Sequence, residues 1–235
     1  MFDLRCEWGE AGIVALAPVS DVVVVVDVLS FSTCVDIAVS RGGEVLPYSS
    51  KGSGAEKFAE EHGAALAGAR GEGHHSLSPL TFLDIDPGTR VVLPSPNGAM
   101  VSLASRARTT LTGCLRNAAA VARVAAERGR RIAVIPAGER WSDGALRPSL
   151  EDWLGAGAIL SYLSGHASPE ARAAVAAFRE HRGGLEEALL ECESGRELEA
   201  WGYREDVRVA AMLDASGSVP VFDGVAYRIA SALGL

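Results

Sequence analysis

Five consecutive valines, Val22–Val26, closed by a lone carboxylate at Asp27, constrain this chain more than any other segment. An unbroken β-branched run has no polar face. It fits a strand covered on both sides, the situation in a largely parallel sheet flanked by helices. The run is too short to cross a bilayer, which takes ~20 apolar residues.

The remaining sequence repeats the pattern of strand, loop and helix. Ser30, Ser32 and Thr33 offer caps for a helix to about Val39, stopped at Gly42-Gly43. Glu44–Tyr48 is predicted as a strand and Ala55–His62 as a helix. Residues 68–87 carry Gly, His, Ser and Pro without a period and predict a long loop, a place where function often sits. Strands are expected at Arg90–Leu93, Thr109–Thr112 and Ile132–Ile135, and helices at Met100–Ala107, from Asn117 to Arg128, and at Leu150–Leu163. Ser168-Pro169-Glu170 starts a helix with a cap, a proline at the first helical position and an acid. Leu185–Glu193, Arg196–Trp201 and Glu205–Leu213 are also predicted helical, and Val219–Phe222 with Val225–Ile229 form a hairpin about Asp223-Gly224. The expectation is a single α/β domain over residues 1–235: three α/β/α layers around a mostly parallel mixed sheet, with a helical carboxyl-terminal lobe.

Composition narrows the partners. The chain has 235 residues, 48% hydrophobic, with a formal charge of −8 and only two lysines, Lys51 and Lys57. An acidic chain without clustered basic residues is not expected to bind nucleic acid. The amino terminus has no basic stretch leading into an apolar one, so no secretory signal is expected. Cys6, Cys34, Cys114 and Cys192 are scattered without a C-x-x-C pair, which fits a reducing cytoplasm better than a disulfide framework. A homodimer is the default expectation for a metabolic enzyme.

In such sheets, ligands bind beyond the carboxyl ends of the strands. The polar residues expected there are Asp27, Ser30, Ser32, Thr33 and Cys34; Ser95 and Asn97; Arg116 and Asn117; and Glu139, Arg140 and Asp143, with Glu151 and Asp152 at the next helix start. Carboxylate and amide oxygens with waters are what Mg²⁺ takes. Each also has a structural reading. Asp27 follows five valines, where a carboxylate is costly unless paired, used as a cap, or bound to metal. Asn97-Gly98 is a common turn dipeptide and Asn117 a plain helix cap. Ser149-Leu150-Glu151-Asp152 has the form of a capping box, and acids in a first turn gain from the helix dipole. Cys34 is either a thiol activated at a helix start or a small buried apolar group. His74-His75 sits in a glycine-rich loop and is expected to be solvated. No P-loop, no G-x-G-x-x-G after a strand and no G-x-S-x-G elbow is present. Asp27-Val28-Leu29-Ser30 also lacks the second aspartate of a D-x-D phosphatase nucleophile.

Taken in order, several segments resemble the 2-phosphosulfolactate phosphatase family. They are Val24-Val25-Val26-Asp27-Val28-Leu29, Ser95-Pro96-Asn97-Gly98-Ala99, Gly113-Cys114-Leu115-Arg116-Asn117-Ala118, Ile135-Pro136-Ala137-Gly138, Ser149-Leu150-Glu151-Asp152 with Ala156-Gly157-Ala158, Ser194-Gly195-Arg196-Glu197-Leu198 with Gly202, Glu205-Asp206-Val207, and Val219-Pro220. The resemblance implies a three-layer α/β/α fold. It also implies Mg²⁺-dependent hydrolysis of 2-phosphosulfolactate to sulfolactate and phosphate, a step towards coenzyme M. On that basis Asp27, Glu151 and Asp206 become candidate metal ligands. Asp27, Glu151, Asp152 and Cys34 become candidate catalytic groups. Asn97, Gly98, Asn117, Ser32 and Arg196 become candidate contacts for a small anionic phosphate ester.

The sequence also departs from the family pattern. Ser30 stands where the family often has an arginine, Pro96-Asn97-Gly98-Ala99 replaces T-N-G-T, and Gly68-Ala69-Arg70 with Leu77-Ser78-Pro79 replaces a G-E-R…N-S-P region. An arginine at Ser30 would offer bidentate contacts to phosphate or sulfonate. Its loss keeps two other readings open: a relative that binds an anion without turning it over, and a different metal-dependent enzyme on the same scaffold.

Overall fold

Val22–Val26 lies at the heart of the sheet, with none of its five side chains exposed. The computed structural model describes residues 2–49 and 53–230. In chain order the strands are β1 (Leu4–Cys6), β2 (Val22–Val26), β3 (Glu44–Tyr48), β4 (Ala65–Leu66), β5 (Arg90–Pro94), β6 (Thr109–Gly113), β7 (Ile132–Pro136), β8 (Glu139–Arg140), β9 (Leu146–Arg147), β10 (Pro220–Phe222) and β11 (Tyr227–Ile229). The helices are α1 (Gly9–Leu16), α2 (Phe31–Ser40), α3 (Ser53–Glu61), α4 (Gly98–Ala104), α5 (Ala118–Arg128), α6 (Leu150–Ser161), α7 (Pro169–His181), α8 (Leu185–Glu191), α9 (Glu193–Ala200) and α10 (Arg204–Ala210).

The alternation of a strand explains the layers. Val22, Val24 and Val26 pack with Val121 of α5 and Ile159 of α6. Val23 and Val25 face the other way, against Ile13 of α1 and Val101 of α4. Both faces of β2 are therefore apolar and covered, as the valine run requires. The α6–α7 contact is close: a Cβ at Gly157 would lie 2.1 Å from the Ala174 carbonyl oxygen, so only glycine fits.

The main sheet runs β1-β7-β2-β6-β10-β11-β3-β5-β4. It contains two parallel blocks, β1-β7-β2-β6 and β3-β5-β4, joined by the β10–β11 hairpin. Each pairing made by that hairpin is antiparallel. Three antiparallel pairings in succession give the blocks opposite sense. The expected hairpin at Asp223-Gly224 exists, and it joins the two halves of the sheet. Asp27 and Glu139 do follow the ends of neighbouring parallel strands. Asn97 and Gly98 come from the other block and reach Asp27 through the turn after Pro94.

Most predicted elements lie within a few residues of their expected bounds. The long loop contains one 3-10 turn at Pro79–Phe82. The α7 start is as expected, with the Ala171 N–H donating to the Ser168 hydroxyl at 3.2 Å. The capping box at Ser149 is not formed. The Ser149 hydroxyl is buried without a partner, and Asp152 turns away to bond two distant backbone N–H groups. The elements β1, α1 and the β8–β9 hairpin were not expected. They are short or glycine-rich, with too little period to register.

Candidate active site

Asp27 is held at both ends of its carboxylate. Its Oδ1 accepts from the Phe31 N–H at 3.0 Å, and Oδ2 accepts from the Gly98 N–H at 2.7 Å. The first bond caps α2, a role the sequence offered to Ser30, Ser32 or Thr33. Those hydroxyls do other work: the Asp27 N–H donates to Ser32 Oγ at 2.9 Å, Ser32 Oγ pairs with Thr112 Oγ1 at 2.7 Å, and Thr33 donates to the Val28 carbonyl. Burial pushes the Asp27 carboxyl up to about 6. The two N–H groups and the nearby Arg70 oppose that shift, and Glu151 adds to it.

Three more acids share this end of the sheet. Glu139, just beyond β7, accepts from Asn97 Nδ2 at 2.7 Å. Burial, with Asp27 and Glu151 close by, pushes its carboxyl up to about 8. Asp152 accepts from the Val28 N–H at 2.7 Å and the Gly138 N–H at 2.8 Å. Burial and the charges of Asp27 and Glu151 hold it well above the ordinary carboxyl range. With both oxygens accepting backbone N–H groups, as in Asp27, Asp152 braces the turns after β2 and β7. Glu151 is buried in the first turn of α6.

The positive charge comes from the long loop. Arg70 donates through Nη1 to Asp206 Oδ2 at 2.6 Å and through Nη2 to Ser30 Oγ at 3.0 Å. Its guanidinium lies 5.1 Å from the centre of the Tyr203 ring. Asp206 also accepts from Ser78 Oγ at 2.8 Å, so the loop is tied to α10. Burial raises the Asp206 carboxyl, while Ser78 and Arg70 oppose the shift. Ser30, where the sequence lacks the expected arginine, accepts instead from an arginine forty residues further on.

These groups line a cavity of about 180 Å³ that includes Asp27, Ser30, Arg70, Ser95, Asn97 and Glu139, with Ser194, Glu197 and Trp201 from the α9 side. The Ser194 hydroxyl is buried and has no hydrogen-bond partner among the described residues.

Of the residues singled out from sequence, Asp27, Asn97 and Gly98 meet here, with Glu151 and Asp152 behind them. The others lie elsewhere. Asn117 is fully buried; its Oδ1 accepts from the Cys114 N–H and its Nδ2 donates to the Ser218 carbonyl. Ser32 is an internal tie beneath Asp27. Cys34 is fully buried, and burial raises its thiol far above the range of a nucleophile. Arg196 is exposed and paired with Glu193 on its own helix. Asp206 is committed to Arg70 and Ser78, which replaces the expected role of metal ligand with that of arginine anchor.

Sequence reasoning placed Glu139 at the rim but did not select it, and it passed over Arg70. The signal for Glu139 was its place directly after a strand, like that of Asp27. For Arg70 the signal was its place in Gly68-Ala69-Arg70, which keeps the arginine of the G-E-R segment.

The donor chemistry fits a divalent cation of the Mg²⁺ type. Asp27, Glu139 and Glu151 are hard oxygen donors, and the charge of Glu151 opposes ionisation of Asp27 and Glu139. Among the described residues, no three such groups form a ready-made cage. That is compatible with Mg²⁺, which commonly takes one or two carboxylates and completes its shell with water and substrate oxygens.

The fold and cleft together define an α/β protein with a small acid-lined site served by a half-buried arginine, Arg70. The chain belongs to the 2-phosphosulfolactate phosphatase family: the family model described as 2-phosphosulpholactate phosphatase matches residues 13–224. It is 30% identical to the 2-phosphosulfolactate phosphatase of Methanothermobacter thermautotrophicus over 86% of this chain and 87% of that protein. A probable 2-phosphosulfolactate phosphatase of Carboxydothermus hydrogenoformans is 32% identical over 84% of each chain. Another from Gloeobacter violaceus is 29% identical over 85% of this chain and 87% of that protein.

Proposed function

We propose that this chain is a Mg²⁺-dependent phosphoric monoester hydrolase acting on a small acidic ester of the 2-phosphosulfolactate type. The observation that carries the reading is the meeting of Arg70 with Asp27 and Glu139 around one small cleft, in a chain of this family.

Phosphoryl transfer asks a protein mainly to position the ester and to neutralise charge. Arg70, oriented by Asp206 and Tyr203, supplies a fixed cation for phosphate oxygens, with Nη2 exchanging Ser30 for the ester. Asn97 offers a second donor. Asp27 and Glu151 would hold the Mg²⁺, which when bound supplies Lewis-acid neutralisation of the phosphate and an acidified water. Glu139, whose burial favours the protonated carboxyl, hands its proton to the ester oxygen as the P–O bond breaks. A water oxygen takes the leaving group's place on phosphorus, and its proton restores Glu139. The products are the hydroxy acid and inorganic phosphate.

The test is phosphate release from 2-phosphosulfolactate and 2-phospholactate, with Mg²⁺ and with chelator. Release that depends on Mg²⁺ supports the reading. Ester binding without release by folded protein would favour the non-catalytic relative instead.

A further inference from the structure

A second cavity, of about 440 Å³, lies directly against the first, and Asn97 and Glu139 line both. The Asn97–Glu139 hydrogen bond is therefore the partition between them. Both spaces mix polar and apolar side chains. The inner cleft combines carboxylates, hydroxyls and the Arg70 guanidinium with Leu29, Leu77, Leu198 and Trp201. The outer cavity is lined by Trp8, Val14, Val101 and Leu146 of the β8–β9 hairpin, with Glu10 and Arg140 also on its wall. Val14 and Leu146 are 59% and 40% exposed, so their apolar side chains are open to a ligand in this cavity. Trp8 is fixed by stacking on Trp153, with ring centres 5.2 Å apart, so this wall is rigid. At about 180 Å³ the inner cleft is below the size usual for a ligand pocket, and the adjoining cavity supplies further space lined by four large apolar side chains.

We propose that the outer cavity is a substrate subsite for an apolar arm, so that this chain accepts phosphate monoesters of 2-hydroxy acids bearing an aryl or branched alkyl group on the adjacent carbon. The phosphate and carboxylate occupy the inner cleft. The arm passes the Asn97–Glu139 pair and lies between Trp8 and Leu146. The inference rests on the phosphatase reading for its chemistry, and it adds a preference that the family's sulfonated ester would not exploit.

The experiment compares 2-phospholactate with 2-phospho-3-phenyllactate on the full-length wild-type protein and on Val14→Arg and Leu146→Glu. Both substitutions lie on exposed positions, and Val14 on the outer face of α1 is the safer for folding. The expected result is a kcat/KM at least about tenfold higher for the phenyl ester, the scale that an apolar group gains in a fitted pocket. That ratio should fall to near one in each variant, with 2-phospholactate turnover within about twofold of wild type, as expected for a change that removes only binding to the arm. A wild-type ratio near one, or a preference that survives both substitutions, overturns the subsite while leaving the phosphatase reading in place. If neither ester releases phosphate, that reading fails by itself, and calorimetric binding of 3-phenyllactate against lactate decides the subsite. Tighter binding of phenyllactate that is lost in the variants supports it, and equal binding overturns it.

Discussion

Gly98 donates its backbone N–H to Asp27 Oδ2 at 2.7 Å, joining two residues 71 apart in sequence and from sheet blocks of opposite sense. This bond assembles the site, because it brings the turn carrying Asn97 to the end of the valine strand. It also makes Gly98 intolerant of a side chain: a Cβ there would lie 2.6 Å from Asp27 Oδ2 and 2.6 Å from Phe31 Cδ1. We expect Gly98→Ala to cost about 1–3 kcal/mol, the range for overpacking a filled site. Denaturant unfolding and phosphate release together check this, with activity expected to fall at least about tenfold.

The acid cluster makes stability depend on pH in a defined direction. Asp27 has an ordinary value of 3.8 and about 6 in the fold. Below pH 4 both folded and unfolded chains carry its proton, and no stability is lost. As pH rises through 6, the unfolded chain releases that proton first, so folding loses on the order of 3 kcal/mol from this group. Glu139, raised to about 8, extends the loss towards pH 8. In chelator, Asp27→Asn should therefore gain stability relative to wild type between pH 4 and pH 7. A stability difference that stays flat across that range would contradict the assignment.

Much of this architecture was legible in the chain. The five valines announced a strand covered on both faces, and Asp27 stood out as a carboxylate with no place in such a core. Gly98 and Asn97 were visible as a turn after a strand. The site's polarity was harder to read, because it depends on pairings across long separations. Asp206 looked like a free acid, yet Arg70 and Ser78 hold it. Asn117 and Ser32 looked like donors at a rim, but each is spent on internal hydrogen bonds. Cys34 could be read as a thiol activated at a helix start or as a small buried apolar group, and it is fully buried. Such commitments are set by tertiary packing, and neither propensity nor spacing reports them.

Arg70 depends on Asp206 for its aim. Asp206→Asn keeps the shape but removes the charge that holds Nη1. The expected outcome is a KM for the phosphate ester raised on the order of tenfold with a smaller change in kcat, the mark of a loosened binding group. Arg70→Lys should lose more, since an ammonium cannot span Asp206 and an oxyanion together. Steady-state phosphate release on both variants checks the order.

Divalent cation binding should stabilise the fold through the same acids. At a hundredfold excess over its dissociation constant, Mg²⁺ should add about 2.7 kcal/mol. For a chain of this size that is a rise in Tm of roughly 5–10 °C. A thermal melt with and without Mg²⁺ reads the rise directly, and it should vanish in Asp27→Asn.

The most direct test is kcat/KM for phosphate release at saturating Mg²⁺ in Asp27→Asn against wild type, with folding of both verified by melting. The acid-lined cleft predicts a loss of at least about a thousandfold, the scale expected when a group that holds transition-state charge is removed. Turnover within threefold of wild type would show that the chemistry is done elsewhere.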